Sequence, residues 1–79
     1  MRWLETINIK PILNDENIEP DEAARQISAL LLKSVYKDIV LESLCEELVV
    51  RSEEGEEEFD NVLSNIYNWA DYHKVWLGL

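Results

Sequence analysis

The stretch that decides the fold is residues 35–50, VYKDIVLESLCEELVV. At about 100° per residue, its apolar side chains fall on nearly every side of a helix instead of gathering on one face. Such a helix has to be covered on most sides. Its sixteen residues are also fewer than the roughly 20 that a membrane-spanning helix needs. The stretch therefore predicts the central helix of a small helical bundle, over residues 35–52.

A second helix is predicted just before this stretch. Pro20 is suited to the first helical position, and Asp21 and Glu22 would lie beside the positive end of the helix dipole. The apolar residues that follow have helical spacing: Ala23, Ala24, Ile27, Leu30 and Leu31. This pattern predicts a helix over residues 20–33. It loses phase near Ser34, so residues 20–52 form either two helices joined by a turn or one kinked helix.

The third helix is predicted over residues 57–76. Its apolar seam advances in steps of three and four residues through Phe59, Val62, Ile66, Trp69, His73 and Trp76. Asn61, Asn65, Asn68 and Tyr72 line the opposite face. The chain is therefore expected to form one all-α domain over residues 1–79. We expect three main helices and a short N-terminal segment, a helical turn followed by an extended stretch that lies across the bundle.

Charge is the strongest compositional signal. Seventeen acidic and seven basic residues give a formal net charge of −10 over 79 residues. Such a field repels nucleic acid and anionic membranes, and it attracts basic partners. The single cysteine excludes an internal disulfide, so the fold does not depend on an oxidising compartment. The N-terminus also lacks the apolar run of a signal peptide. We therefore expect a cytoplasmic protein that contacts neither nucleic acid nor membrane.

The carboxylates form two groups. Asp38, Glu42 and Glu46 recur every four residues and would make an acidic ridge along the central helix. Six more carboxylates crowd residues 53–60 and make up the acidic turn cluster: Glu53, Glu54, Glu56, Glu57, Glu58 and Asp60. Few lysines or arginines lie where they would neutralise these groups, and unpaired like charges cost stability. We therefore predict that both groups form a binding surface. The alternative is that they serve solvation and solubility.

Two tyrosines are predicted to assist this surface. Tyr67 and Tyr72 lie off the apolar seam of the third helix. Tyrosine combines a large apolar ring with a hydroxyl group, and it is enriched where protein interfaces bind most strongly. Tyr67 and Tyr72 are therefore candidate partner-binding residues.

No motif indicates catalysis, a metal or another cofactor. With Gly55 at the glycine position of a calcium loop, the first and twelfth ligand positions would be Val50 and Asn61, which do not fit. Cys45 lies in the most apolar helix, where packing explains it better than nucleophilic chemistry. A single histidine, His73, without a cysteine at ligand spacing is not a zinc site. We expect a protein that is not an enzyme.

Two functions are compatible with this sequence. Small size, one domain and strong acidity are shared with bacterial immunity proteins, phage-encoded inhibitors and DNA mimics. This resemblance of class rests on no motif and transfers no site residue. In the first hypothesis, the protein is a stoichiometric inhibitor or immunity-type protein, or a nucleic-acid mimic. It would bind a basic protein partner, such as a nuclease or another nucleic-acid-binding protein.

In the second hypothesis, it is a small adaptor or subunit, or a homodimer, that associates through apolar helix surface. The two hypotheses differ in whether the central helix is fully enclosed. An uncovered apolar strip favours the adaptor or homodimer.

Overall fold

The structure, a computed structural model, describes residues 2–79. Along this part of the chain the elements are β1 (Glu5–Thr6), α1 (Lys10–Leu13), α2 (Pro20–Leu31), α3 (Ile39–Ser52), α4 (Glu56–His73) and β2 (Val75–Trp76). Helix α3 packs against both α2 and α4. The prediction of an all-α bundle with three main helices is confirmed. None of these helices combines the length and the apolar composition needed to cross a membrane.

Helices α2 and α3 are separate, which decides between the two alternatives for residues 20–52. Ser34 lies buried in the intervening turn, where its Oγ accepts a hydrogen bond from the Tyr36 backbone N–H at 3.0 Å and donates one to Glu5 Oε2 at 2.7 Å. Serine side chains that bond nearby backbone groups compete with helix formation. Helix α3 then starts at Ile39, because the Asp38 side chain caps it by accepting from the Leu41 N–H at 2.8 Å.

The core lies between the three long helices and has fully buried side chains from each. Leu41 and Leu48 of α3 have no exposed surface, and neither do Ile27 of α2 and Ile66 of α4. Ile9, from the segment before α1, is also completely buried. Burial of such side chains supplies most of the stability expected for a domain of this size.

Helix α3 is not covered on most sides, contrary to the expectation from its composition. Its buried residues, Leu41, Cys45, Leu48 and Ser52, lie on one side, because α2 and α4 are the elements within residues 2–79 that pack closely against it. Several apolar side chains in and before α3 remain exposed: Val35 (84%), Ile39 (81%), Val50 (60%) and Val40 (58%).

The N-terminal and C-terminal segments pair with each other. Two predictions are therefore wrong: the end of the third helix and the order of structure in the N-terminal segment. Helix α4 ends at His73 instead of residue 76, since Lys74 has a left-handed backbone with φ of 59°. Strand β2 then runs parallel to β1, with Glu5 opposite Val75 and Thr6 opposite Trp76. The N-terminal segment is thus extended first and helical second, the reverse of the expected order. Trp76 lies in β2 and is 40% exposed instead of packing in a helical seam.

Candidate protein-binding surfaces

The acidic ridge divides into two exposed carboxylates and one engaged carboxylate. Glu42 and Glu46 are exposed on α3, and neither forms an ion pair with any residue in 2–79. Ile39 and Val50 lie near them on the outer side of the helix by helical periodicity. This outer face of α3, defined by Ile39, Glu42, Glu46 and Val50, therefore combines free negative charge with exposed apolar surface.

Asp38 links the start of α3 to the end of α4. Its Oδ1 accepts from the Leu41 backbone N–H at 2.8 Å, and its Oδ2 accepts from Trp69 Nε1 at 3.4 Å. His73 Nε2 lies 3.3 Å from the same Oδ2. The hydrogen bond from Leu41 is the main cause that lowers the pKa of the Asp38 carboxyl group, with smaller contributions from Trp69 and His73 and an opposing one from burial. Asp38 thus has an internal structural role as well as its partly exposed surface.

The acidic turn cluster lies at the corner between α3 and α4, and it is partly neutralised. Arg51 contacts Glu54 at 3.0 Å, Glu58 at 3.6 Å and Glu47 at 3.8 Å. The hydrogen bond to Glu54 is the main cause that raises the pKa of Arg51. Two members of the cluster, Glu54 and Glu58, are therefore neutralised in part by Arg51. The others have no ion pair in the described part of the chain: Glu53, Glu56, Glu57 and Asp60.

The two candidate tyrosines lie on different sides of α4. Tyr67 is half-buried and packs against the core, beside a pocket of about 370 Å³ that Glu56 and Asp60 also line. Burial, and secondarily the charge of Asp60, raise the pKa of Tyr67. Tyr72 is 81% exposed and lies beside α3. The candidate partner-binding residues therefore do not form one continuous surface.

An apolar groove between α3 and α4 was missed by the sequence reasoning. It has a volume of about 560 Å³, and it is lined by Asp38, Val40, Leu44, Asn65, Asn68, Trp69, Tyr72 and His73. Glu42 follows Val40 by two residues, and Glu46 follows Leu44 by two, so the carboxylates project about 160° away from the apolar walls. The groove and the exposed carboxylates of the ridge thus lie on opposite sides of α3.

Aromatic contacts hold His73 at one end of this groove. Its ring centroid lies 4.9 Å from that of Trp69 and 5.1 Å from that of Tyr72, the latter edge-on. The Tyr36 ring lies on another side at 6.3 Å. Together with Asp38, these rings fix the orientation of the imidazole.

The other candidate for chemistry, Cys45, lies in the core. It is 2% exposed, and burial raises the pKa of its thiol. Across residues 2–79, no three histidine, cysteine or acidic side chains are grouped so that they could hold a metal ion.

Comparisons of this chain with known protein families, with curated proteins and with solved structures found no match.

Proposed function

We propose that this protein is an acidic protein-binding module that acts as a stoichiometric inhibitor of a basic partner, in the manner of an immunity protein. The proposal is supported by the combination of free negative charge and exposed apolar surface on the outer face of α3. There Glu42 and Glu46 have no ion-pair partner within the described residues, and they stand between Ile39, 81% exposed, and Val50, 60% exposed.

This combination suits a protein interface better than it suits solubility alone. Exposed carboxylates in a chain of net charge −10 steer a basic surface toward the molecule and speed association. Exposed apolar side chains then supply the contact area from which water is removed. The partner class is a basic protein such as a nuclease or another nucleic-acid-binding protein, whose anion-binding surface the carboxylates would occupy. A cytoplasmic location is part of the proposal, because one thiol requires no oxidising compartment.

A second candidate function has an observation of its own. Val35 and Ile39 are 84% and 81% exposed at the start of α3, which favours an adaptor or subunit held through apolar surface. A homodimer through this surface is opposed by the repulsion between two chains of net charge −10. The two functions differ in what abolishes binding: charge reversal for the inhibitor, and apolar-to-polar substitution for the adaptor.

Affinity capture with three forms of the chain tests the proposal. The baits are the parent, Glu42→Lys with Glu46→Lys, and a charge-matched control, Glu16→Lys with Glu19→Lys, in the exposed loop before α2. Circular dichroism checks that all three fold alike. We expect the parent and the control to retain the same basic protein from the lysate of the source cell, and the α3 variant to lose it.

Salt and stoichiometry complete the test. Retention should fall as ionic strength rises from about 0.15 M to about 1 M, since the Debye length shortens from about 8 Å to about 3 Å. The purified partner should then form a 1:1 complex and lose its own activity in it. Retention that changes neither with salt nor with the reversal of Glu42 and Glu46 would contradict the inhibitor proposal. Retention that tolerates this reversal but is lost with Val35→Gln, at a residue 84% exposed and outside the outer face of α3, would favour the adaptor.

A further inference from the structure

We infer that the groove between α3 and α4 is a docking site for an amphipathic helix that carries basic residues beside its apolar stripe. The inference rests on the proposed function only in assigning this helix to a basic protein partner. The groove itself is distinct from the outer face of α3, because Val40 and Leu44 project to the opposite side of that helix from Glu42 and Glu46.

The shape of the groove fits a helix. Helices α3 and α4 are joined by the short turn at residues 53–55 and pack side by side, so a third helix can lie in the channel between them. The residues that line the groove span positions 38–44 and positions 65–73, so the groove follows both helices for about two turns. Its walls are the side chains of Val40, Leu44, Trp69 and Tyr72.

These walls are already connected to the core. Trp69 is buried, and half-buried Leu44 packs against the core cluster. Val40 and Tyr72, at the mouth, are 58% and 81% exposed. An apolar side chain placed between Val40 and Tyr72 would therefore extend the existing core and remove these exposed surfaces from water.

Two asparagines on the groove's rim have polar groups available to a docked helix. Asn65 and Asn68 lie in the middle of α4, although asparagine is a poorer helix former than most residues. Neither side chain forms a hydrogen bond with the described residues. Each amide can both donate to and accept from polar groups of a docked helix.

Charge complementarity selects the occupant. Among residues 2–79, no lysine or arginine lines the groove. Asp38 stands at one end, and Glu47 lies on the same side of α3 as Leu44, one turn further along. Glu47 shares one arginine, Arg51, with Glu54 and Glu58, so three carboxylates stand against one positive charge at that end. An acidic helix, or a second copy of this chain with net charge −10, would be repelled, whereas basic residues on the flanks of a docked helix would be attracted.

A synthetic peptide tests this site on the full chain. The probe is a leucine–lysine peptide of about 18 residues, five helical turns, with leucines at i, i+3, i+4 and i+7. The control peptide has the same composition in a scrambled order without an apolar face. We expect the amphipathic peptide to shift the NMR signals of the Asn65 and Asn68 side-chain amides and of the Trp69 indole N–H. The amide of Asn17, in a remote loop, should not move.

Two variants with similarly exposed apolar residues show whether the peptide binds in the groove. Val40→Gln changes a groove residue that is 58% exposed, and Leu4→Gln changes an apolar residue that is 59% exposed and lies outside both the groove and the outer face of α3. Val40→Gln should weaken peptide binding at least about fivefold, as loss of an interface side chain worth more than about 1 kcal/mol does. Leu4→Gln should leave peptide binding within about twofold of the parent.

The asparagine variants exclude an effect on folding. Asn65→Ala with Asn68→Ala should weaken peptide binding and at the same time raise the melting temperature of the free chain, because alanine favours the helix. A merely structural role for these residues would not separate the two readouts in this way.

Three results would overturn the inference: equal shifts with both peptides, equal peptide binding by Val40→Gln and Leu4→Gln, or concentration-dependent shifts of the groove signals without any peptide. The last would identify a second copy of the chain as the occupant. The proposed function fails separately, when capture of the natural partner ignores the reversal of Glu42 and Glu46. A failure of the groove and a failure of the inhibitor proposal are thus distinguishable.

Discussion

Removing the Asp38 side chain should destabilise the protein more than removing any other carboxylate of the acidic ridge. Asp38→Ala deletes the cap of α3, whose carboxylate accepts from the Leu41 N–H at 2.8 Å. Loss of such a cap costs about 0.5–2 kcal/mol. It also removes the acceptor of the Trp69 indole N–H, although that bond is long and Asp38 is 40% exposed, so its contribution is small.

The expected total is a loss of about 1–3 kcal/mol in the free energy of unfolding. For a domain of this size, each kcal/mol corresponds to about 4–8 °C in melting temperature. Thermal and urea unfolding followed by circular dichroism at neutral pH measure the change. The matched control is Glu46→Ala, in the same helix, which removes an exposed carboxylate without partners among the described residues and should cost no more than about 0.5 kcal/mol.

The pH dependence of the same residue supplies a second readout. The pKa of Asp38 is lowered in the folded protein from its usual value of 3.8. Its charged form therefore stabilises the fold above pH 3.8, and this contribution is lost as pH falls through the lower folded pKa. The stability difference between the parent and Asp38→Asn should be full at neutral pH and should shrink below pH 3.8. Equal melting of Asp38→Ala and Glu46→Ala, or a difference that does not vary with pH, would refute this reasoning.

Three further predictions concern the core and the chain ends. Ile66→Ala should lower the free energy of unfolding by about 2–5 kcal/mol, because Ile66 has no exposed surface. Leu44→Ala, at a half-buried groove wall, should lower it by only about 1–2 kcal/mol. Similar unfolding midpoints of the two variants in urea would show that the core is misassigned. Cys45, 2% exposed, should react slowly with a thiol reagent in the native protein and rapidly in urea, and native labelling at the rate of a free thiol would contradict its burial. Gly78→Ala should lower the melting temperature, because the added Cβ at φ of 82° collides with Asn8; an unchanged melting temperature would count against the pairing of the chain ends.

The helices were predictable from sequence because their signals are local. Pro20 and the apolar stripe behind it mark the start of α2, and the seam from Phe59 to Trp69 marks the buried side of α4. The start of α3 was placed four residues too early, although Asp38 before an apolar run is a recognised cap signal. Val35 and Tyr36 extend the apolar pattern to the N-terminal side of Asp38 and so conceal this signal.

The chain ends could not be predicted in the same way, because their structure depends on contacts across almost the whole chain. The Ile7 N–H donates to the Trp76 carbonyl at 2.7 Å, and the Ile9 N–H donates to the Leu77 carbonyl at 3.0 Å. Local periodicity carries no information about which distant segment will complete a pair of short strands. The end of α4 was therefore placed too late, and the extended segment was assigned to the wrong part of residues 2–13.

The candidate site shows the same limit. Exposure of Glu42 and Glu46 follows from helical spacing, but the pairing of Arg51 with Glu54 and Glu58 depends on how α3 and α4 meet. The groove also arises only from that packing, since Val40 and Leu44 are ordinary apolar positions until Asn65 and Tyr72 are placed beside them. The residues are thus identifiable from the sequence, but their arrangement in space depends on how α3 and α4 pack.

Acidity and exposed apolar surface, which the sequence presents as signs of two rival functions, act together under the proposals made here. Full burial of a valine or isoleucine side chain stabilises a structure by about 1.5–3 kcal/mol. Because Ile39 and Val40 are exposed, covering them with another molecule would favour association. A net charge of −10 opposes association between two copies of the chain, and it favours association with a basic protein. Under the inhibitor proposal, the carboxylates would determine which molecules approach α3, and the apolar side chains would determine how tightly a bound partner is held. On this reasoning, neutralising the carboxylates would not simply abolish binding; it would also expose the protein to self-association through the surface that its charge protects.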